Sequence, residues 1–285
     1  MVIKSLTAKS LIEDSVKLYS LPDIYFQIRE MVRDPRYTAV DIGRVITKDP
    51  ALSMRLLKIV NSPFYGFQAR IDTISRAVTI VGIEELQSLA LATSVVDTFD
   101  NIPDDLINMT DFWIQSIHCA VIAKLLAKKA AVLHSERLFL TGLLHDIGAL
   151  VIYTKLPDQS RQILKDNLQN RGLLASLERQ VLGFTRADVG GELAESWRLP
   201  ESISEAIRYQ LHPEKALVNK LDAHLLYLAI NLNDSKTRDE FLSTLSSSTL
   251  SILRLNVAKI KQVMAAVVDE SNATFDILAP GKQFH

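Results

Sequence analysis

Apolar residues recur at intervals of three and four along most of the chain, and alternating polar and apolar runs are absent. One segment shows the spacing clearly, because Leu52, Leu56, Leu57 and Val60 would share one face of a helix. Glycine, which weakens helices, accounts for only 10 of the 285 residues. The pattern therefore predicts an all-α protein.

Local start and stop signals set approximate helix limits. Thr38 followed by Asp41 forms a capping box, Asp49 before Pro50 supplies an N-cap and a first-turn proline, and Gly82 interrupts an apolar stretch. A run of three serines at residues 246–248 predicts a short loop or a frayed helix end. Together the signals predict helices over about residues 5–19, 22–34, 38–48, 50–60, 73–81, 83–99, 112–132, 140–153, 201–211, 218–232 and 256–270, with a polar helix after residue 157.

A break in the pattern lies at residues 97–111, where Pro103 occurs among five aspartates. Proline and aspartate favour turns over helix interiors. The break predicts a multi-helix bundle with two lobes. The first is an N-terminal helical lobe over residues 1–100, and the second covers residues 101–285 and includes a C-terminal helical tail.

The overall charge argues against a nucleic-acid-binding protein. The net charge is -1, whereas phosphate neutralisation requires a concentrated excess of lysine and arginine. The local group of Lys124, Lys128 and Lys129 is interpreted as a solvated helix face.

The sequence also predicts a cytoplasmic protein without a membrane anchor. Its first residues lack the apolar core of a signal peptide, and no later apolar run is expected to reach the length of a membrane span. Cys119 is the single cysteine, which excludes an intramolecular disulfide and suits a reducing compartment.

The most distinctive polar feature is the adjacent pair His145 and Asp146 within an apolar segment. Burial of both groups is costly unless each has a partner. Two interpretations are open. The pair either supplies two ligands to a metal ion, with other ligands from elsewhere, or forms hydrogen bonds at a helix crossing.

The surrounding residues carry a family resemblance. Residues 143–148, Leu-Leu-His-Asp-Ile-Gly, resemble the signature of the HD superfamily of metal-dependent phosphohydrolases. Residues 49–66 and 197–203 resemble the HDOD branch of that superfamily, which occurs in bacterial signalling proteins. The resemblance runs from about residue 21 to about residue 213 and implies an HD-like core in the C-terminal lobe. The turn at residues 61–66 is expected to be rigid and buried, with Tyr65 packed.

Several positions depart from the HD pattern. The resemblance implies four metal ligands, but Gln115 stands at the first histidine position and Ile230 at the later aspartate position. His118 lies one helical turn after Gln115 and is a possible replacement. Arg186 stands where many relatives have histidine.

A fourth departure concerns the usual His-His pair, which is Gln210-Leu211 here and leaves His212 one position on. These changes indicate a dismantled metal site in which His145 and Asp146 are vestigial ligands.

The resemblance therefore implies a non-catalytic regulatory module in signal transduction, with no catalytic residue and no cofactor. Its partners would be signalling proteins or a small phosphorylated ligand, and Gln115, His118, Arg186 and His212 are the candidate ligand-binding residues. The alternative is a metal-dependent phosphohydrolase acting on a nucleotide or phosphodiester. It would hold a divalent metal with His118, His212 or His224 as unusual ligands.

Overall fold

The computed structural model describes residues 6–13, 19–61, 65, 67–99, 106–169 and 174–278. These residues form seventeen α-helices, one 3₁₀ helix at Pro213–Lys215 and no strand, as the sequence predicts. The helices are α1 (Ala8–Glu13), α2 (Asp23–Arg33), α3 (Ala39–Thr47), α4 (Pro50–Val60), α5 (Ile74–Val81), α6 (Ile83–Thr98), α7 (Met109–Lys129), α8 (Glu136–Leu144), α9 (Ile147–Lys155), α10 (Pro157–Gln169), α11 (Leu174–Leu182), α12 (Arg186–Ser196), α13 (Glu201–Arg208), α14 (Lys220–Asn233), α15 (Arg238–Thr244), α16 (Ser247–Ile252) and α17 (Val257–Leu278).

Two of the N-terminal helices, α3 and α4, begin with the capping residues that the sequence predicts. Thr38 and Asp41 form the expected capping box of α3, and the Asp49 side chain accepts a hydrogen bond from the backbone N–H of Leu52 at the start of α4. Gly82 separates α5 from α6 with a φ of 89°, a conformation that favours glycine.

Other helix ends differ from the prediction. Helix α7 begins at Met109, because the side chain of Asn108 caps it. Ser246 is the N-cap of α16 and accepts a hydrogen bond from the backbone N–H of Thr249, so residues 246–248 lie at a helix end, the second of the two predicted alternatives, rather than in a loop. Residues 14–18 of the first predicted helix, most of the 61–66 turn and residues 100–105 lie outside the described residues.

The hydrophobic core is continuous through both halves of the chain. Helix α7 lies at the centre of the C-terminal half and packs against α8, α14 and α17. Helix α17 also reaches α4 and α6, and α1 packs against α12. The two groups of helices, α1–α6 and α7–α17, are therefore held together by long-range packing, and their division into lobes at residue 100 stays a prediction.

Lys124 forms a buried polar cluster at the junction between the two groups of helices. Its side chain is only 5% exposed, and Nζ lies 3.8 Å from Oε1 of Glu85 on α6. The Tyr65 hydroxyl donates a hydrogen bond to the same carboxylate, and Lys124 Nζ lies 5.1 Å from the centre of the Tyr65 ring. The interpretation of Lys124 as a solvated residue is therefore wrong, whereas Lys128 and Lys129 are exposed.

Residues Glu136–Lys155 have the length and hydropathy of a membrane span, which the sequence analysis did not expect. The stretch is not one helix, since it comprises α8, the His145–Asp146 pair and α9. Within the protein, 78% of its apolar window is buried, as in the core helices of globular folds.

Candidate functional site

His145 and Asp146 lie at a break between two helices. Helix α8 ends at Leu144, and α9 begins at Ile147. Asp146 has φ −109° and ψ 11°, in the bridge region between the helical and extended conformations. The single helix in which the sequence places the pair is therefore two helices. Both side chains are half-buried.

The His145 ring is held by its own helix. Nδ1 lies 2.7 Å from the backbone oxygen of Gly142, and since a carbonyl oxygen only accepts, Nδ1 carries the proton. Burial lowers the pKa of His145, and the charge of Arg186 lowers it further. Together they outweigh Asp146 and the Gly142 carbonyl, which raise this pKa. The ring is therefore neutral at neutral pH, with its lone pair on Nε2.

The Asp146 carboxylate is occupied by Arg186. Nη1 of Arg186 donates to Oδ1 and Oδ2 of Asp146 at 3.2 and 3.0 Å, and Nε donates to Oε1 of Glu178 at 2.7 Å. Nη2 contacts the hydroxyl of Tyr153 at 3.2 Å. Burial opposes the charge of Arg186, but the surrounding oxygens outweigh it and raise the pKa well above its ordinary value. Arg186 is thus a permanent cation between two carboxylates.

The local sequence explains how Arg186 reaches this position. Thr185 and Asp188 form a capping box, which makes Arg186 the first residue of α12. Gly148 then allows α9 to approach α12, because a Cβ at Gly148 would lie 2.0 Å from the Arg186 oxygen and 2.6 Å from the Gly190 nitrogen. The backbones at the starts of α9 and α12 are therefore in contact. The sequence did not predict this role for Gly148.

Two members of this network escaped the sequence analysis. Glu178 is only 2% exposed and also accepts a hydrogen bond from the backbone N–H of Arg186 at 2.9 Å. Tyr153 lies under the guanidinium, whose carbon is 5.8 Å from the ring centre. A single glutamate in the amphipathic α11 has no sequence signal that separates it from a surface residue, because its partner is supplied by another helix.

The residues present do not fit the divalent metal that the family resemblance implies. Both oxygens of Asp146 bind a guanidinium, and a fixed positive charge there repels a metal ion. Among the described residues, no group of three or more His, Cys, Asp or Glu side chains is arranged to hold a metal.

The other candidate residues are placed differently. Gln115 is exposed, and its backbone and side-chain oxygens accept hydrogen bonds from Asn233 at 3.0 and 3.2 Å. His118 is half-buried, and burial lowers its pKa, with a further contribution from Arg238. The contacts described for these two residues therefore lie outside the His145–Asp146 pair. Gln210 does touch the pair and donates a hydrogen bond from its amide to the His145 oxygen at 2.7 Å.

His212 lies in a separate cavity with His224. Its side chain is 59% exposed, and Nδ1 is 3.5 Å from Oε1 of Glu214. Of the four candidate ligand-binding residues, Arg186 is thus the one whose described contacts include Asp146.

The family model of the HDOD domain matches residues 18–213. An uncharacterized protein of Treponema pallidum (strain Nichols) is 28% identical over 193 residues, which cover 66% of this chain and 36% of that protein. The chain therefore spans about a third of the length of this curated relative.

Solved structures show the same fold. A candidate phosphohydrolase of Shewanella amazonensis SB2B has a TM-score of 0.77 at 25% identity, with 95% of this chain and 98% of that chain covered. An HDOD domain protein with unknown function from Geobacter sulfurreducens has a TM-score of 0.78 at 22% identity, covering 96% and 98%. A candidate signal transduction protein of Marinobacter aquaeolei VT8 has a TM-score of 0.74 at 22% identity, covering 94% and 61%. The last two likenesses bear on the fold alone, and the all-α HD-like prediction is confirmed.

Proposed function

The chain belongs to the HDOD domain family, and from this premise we propose that it is a non-catalytic regulatory module of bacterial signal transduction. It acts in the cytoplasm by binding a partner protein or a small ligand. Membership of the HDOD family, a branch that the sequence resemblance links to bacterial signalling, supports the class of process, and the geometry around Asp146 supports the absence of catalysis.

One observation carries the proposal, namely the two hydrogen bonds between Arg186 and Asp146. In metal-dependent hydrolysis, a bound cation polarises the phosphoryl group and lowers the pKa of a water molecule. A guanidinium compensates the charge of the carboxylate as a metal would, but it cannot coordinate water or a phosphoryl oxygen as a Lewis acid. Asp146 therefore contributes to stability and shape rather than to chemistry.

The same geometry bears on the ligand. Arg186 is shared between Asp146 and Glu178, so its charge is already compensated and it attracts an added phosphate only weakly. Of the two partner classes that the sequence suggests, we therefore favour a signalling protein over a phosphorylated ligand at this site.

The test combines metal binding with hydrolysis. Purified protein is incubated with Mn²⁺, Mg²⁺, Fe²⁺ or Ni²⁺ and with nucleotides, cyclic dinucleotides and a chromogenic phosphodiester. We expect no metal-dependent turnover, and weak metal binding by calorimetry. Turnover that is abolished by both His145→Ala and Asp146→Asn would overturn the proposal.

Arg186→His provides a matched variant for the metal measurement. It removes the cation and adds an imidazole beside Asp146, so metal affinity should rise about tenfold or more over the unmodified protein. Equal affinities would show that Arg186 is not what opposes metal binding.

The alternative function is a metal-dependent phosphohydrolase with a non-standard metal site. The observation that favours it is the 25% identity to a candidate phosphohydrolase over nearly the whole chain. The same experiment separates the two functions, because the alternative requires turnover that depends on both the metal and His145.

A further inference from the structure

A cavity of about 420 Å³ lies between α14, the 3₁₀ helix and α16. This volume is in the range that binds small molecules. Its apolar walls include Leu211, Leu228, Leu245 and Leu253. The match to the HDOD family ends at residue 213, and the lining residues from Glu214 to Leu253 all follow it, so the cavity is formed mainly by the region beyond that match.

The polar side chains that line the cavity are three rings, a carboxylate and the hydroxyl of Thr249. The rings belong to His212, His224 and Tyr227, and the carboxylate belongs to Glu214. Nδ1 of His224 donates a hydrogen bond to the backbone oxygen of Lys220 at 2.7 Å, which leaves Nε2 available to a ligand. His212 and His224 are not part of the Asp146–Arg186 network.

This set of side chains discriminates between ligand charges. Phosphate and carboxylate ligands are normally bound by arginine or lysine, and neither residue is among those described as lining the cavity. An organic cation instead gains from the faces of aromatic rings, here led by Tyr227, and from an opposing carboxylate, here Glu214.

We propose that this cavity is a binding site for a small organic cation, a protonated amine with an apolar body. The apolar body packs against the leucines, and the ammonium group lies near Tyr227 and Glu214. Binding of the amine does not depend on the proposed function. Only the role of the amine as a regulator rests on it. The cavity is distinct from the Asp146–Arg186 network, so each site can be tested while the other is intact.

The test uses two probes of matched apolar body and opposite charge, 2-phenylethylamine and phenylacetate. The protein has six histidines, so the C2–H signals of His212 and His224 can be assigned by NMR with histidine-to-glutamine variants. We expect 2-phenylethylamine to shift these two signals saturably, with a dissociation constant on the order of millimolar, as befits a fragment. Phenylacetate should bind about fivefold more weakly or not at all, because Glu214 repels it. The signals of His118 and His134 should not move.

Two variants locate the site. Glu214→Gln should weaken amine binding about fivefold, whereas Glu201→Gln, an exposed carboxylate outside the cavity, should leave it unchanged. Thr249→Trp fills the cavity and should abolish the shifts.

Equal binding of both probes, the absence of saturable shifts, or binding that survives both Glu214→Gln and Thr249→Trp would overturn the inference. The readout requires neither metal nor hydrolysis. A phosphohydrolase activity would therefore refute the proposed function but would not affect the inferred amine site. An absence of amine binding would refute the amine site but would not affect the non-catalytic proposal.

Discussion

Arg29 of α2 donates a hydrogen bond from Nη1 to the backbone oxygen of Trp197, 3.0 Å away and 168 positions along the chain. The Arg29 side chain is 3% exposed. The indole N–H of Trp197 in turn donates a hydrogen bond to the backbone oxygen of Tyr19 at 2.7 Å. Trp197 follows the last residue of α12, where helix carbonyls lack helical partners. The N-terminal helices therefore hold one end of α12, and Asp146 holds the other through Arg186.

Arg29→Met should lower the free energy of unfolding by about 2 kcal/mol, because a buried carbonyl loses a charged donor. The measurement is urea denaturation followed by circular dichroism. Arg33→Met, an exposed arginine one turn further along α2, is the matched control and should change stability by less than about 0.5 kcal/mol. Similar losses in the two variants would mean that the Trp197 contact contributes little.

Arg186→Met should be more damaging, with a loss of about 3 kcal/mol, because it leaves Glu178 and Asp146 without their cation. Adding Glu178→Gln should recover part of the loss, since it removes the more deeply buried charge. Arg179→Met is the control, since its ion pair with Asp188 is largely exposed and should contribute less than about 1 kcal/mol. A stable Arg186→Met protein would contradict the structural role of the network.

Gly148→Ala should cost about 3 kcal/mol, because its Cβ would collide with the Arg186 and Gly190 backbones, which have little freedom to move. Gly43→Ala in α3 is the control. Its nearest neighbour would be the Ser75 hydroxyl at 3.4 Å, and alanine favours helix, so stability should rise by about 0.5 kcal/mol. Thermal unfolding of both variants checks the prediction, and a tolerated Gly148→Ala would refute the close approach of α9 to α12.

Lys124 should make stability depend on pH in the alkaline range. Burial lowers the pKa of Lys124 to about 8 and Lys128 lowers it too, although Glu85, Glu136 and Glu270 oppose the shift. Between about pH 8 and the ordinary lysine value of 10.5, the unfolded chain holds a proton that the folded protein has released. Unfolding then takes up a proton, so the contribution of Lys124 to stability rises with pH.

Comparison with Lys124→Met isolates this contribution. The stability of the unmodified protein relative to the variant should increase on the order of 1 kcal/mol per pH unit between pH 8 and pH 10. The exposed Lys129→Met, whose charge is not among those that shift the pKa of Lys124, should show no such trend. A constant or falling difference between the unmodified protein and Lys124→Met would refute the buried ammonium.

The sequence by itself determined the helical class, the starts of several helices and the position of the unusual polar pair. The capping box of Thr38 and Asp41 and the break at Gly82 are decided within about four residues, because cap hydrogen bonds and positive φ angles are local. His145 and Asp146 stood out because two adjacent polar groups in an apolar segment require partners.

Only the tertiary structure decided what those partners are. Arg186 follows Asp146 by 40 positions, and it reaches the carboxylate because Gly148 lets α9 and α12 touch. Gln115, which the sequence put at the site, is exposed and bound to Asn233. Lys124 is buried although its charge suggested solvent. Packing between helices distant in sequence fixes each of these environments, and no local pattern records which face of a helix its distant neighbours will cover.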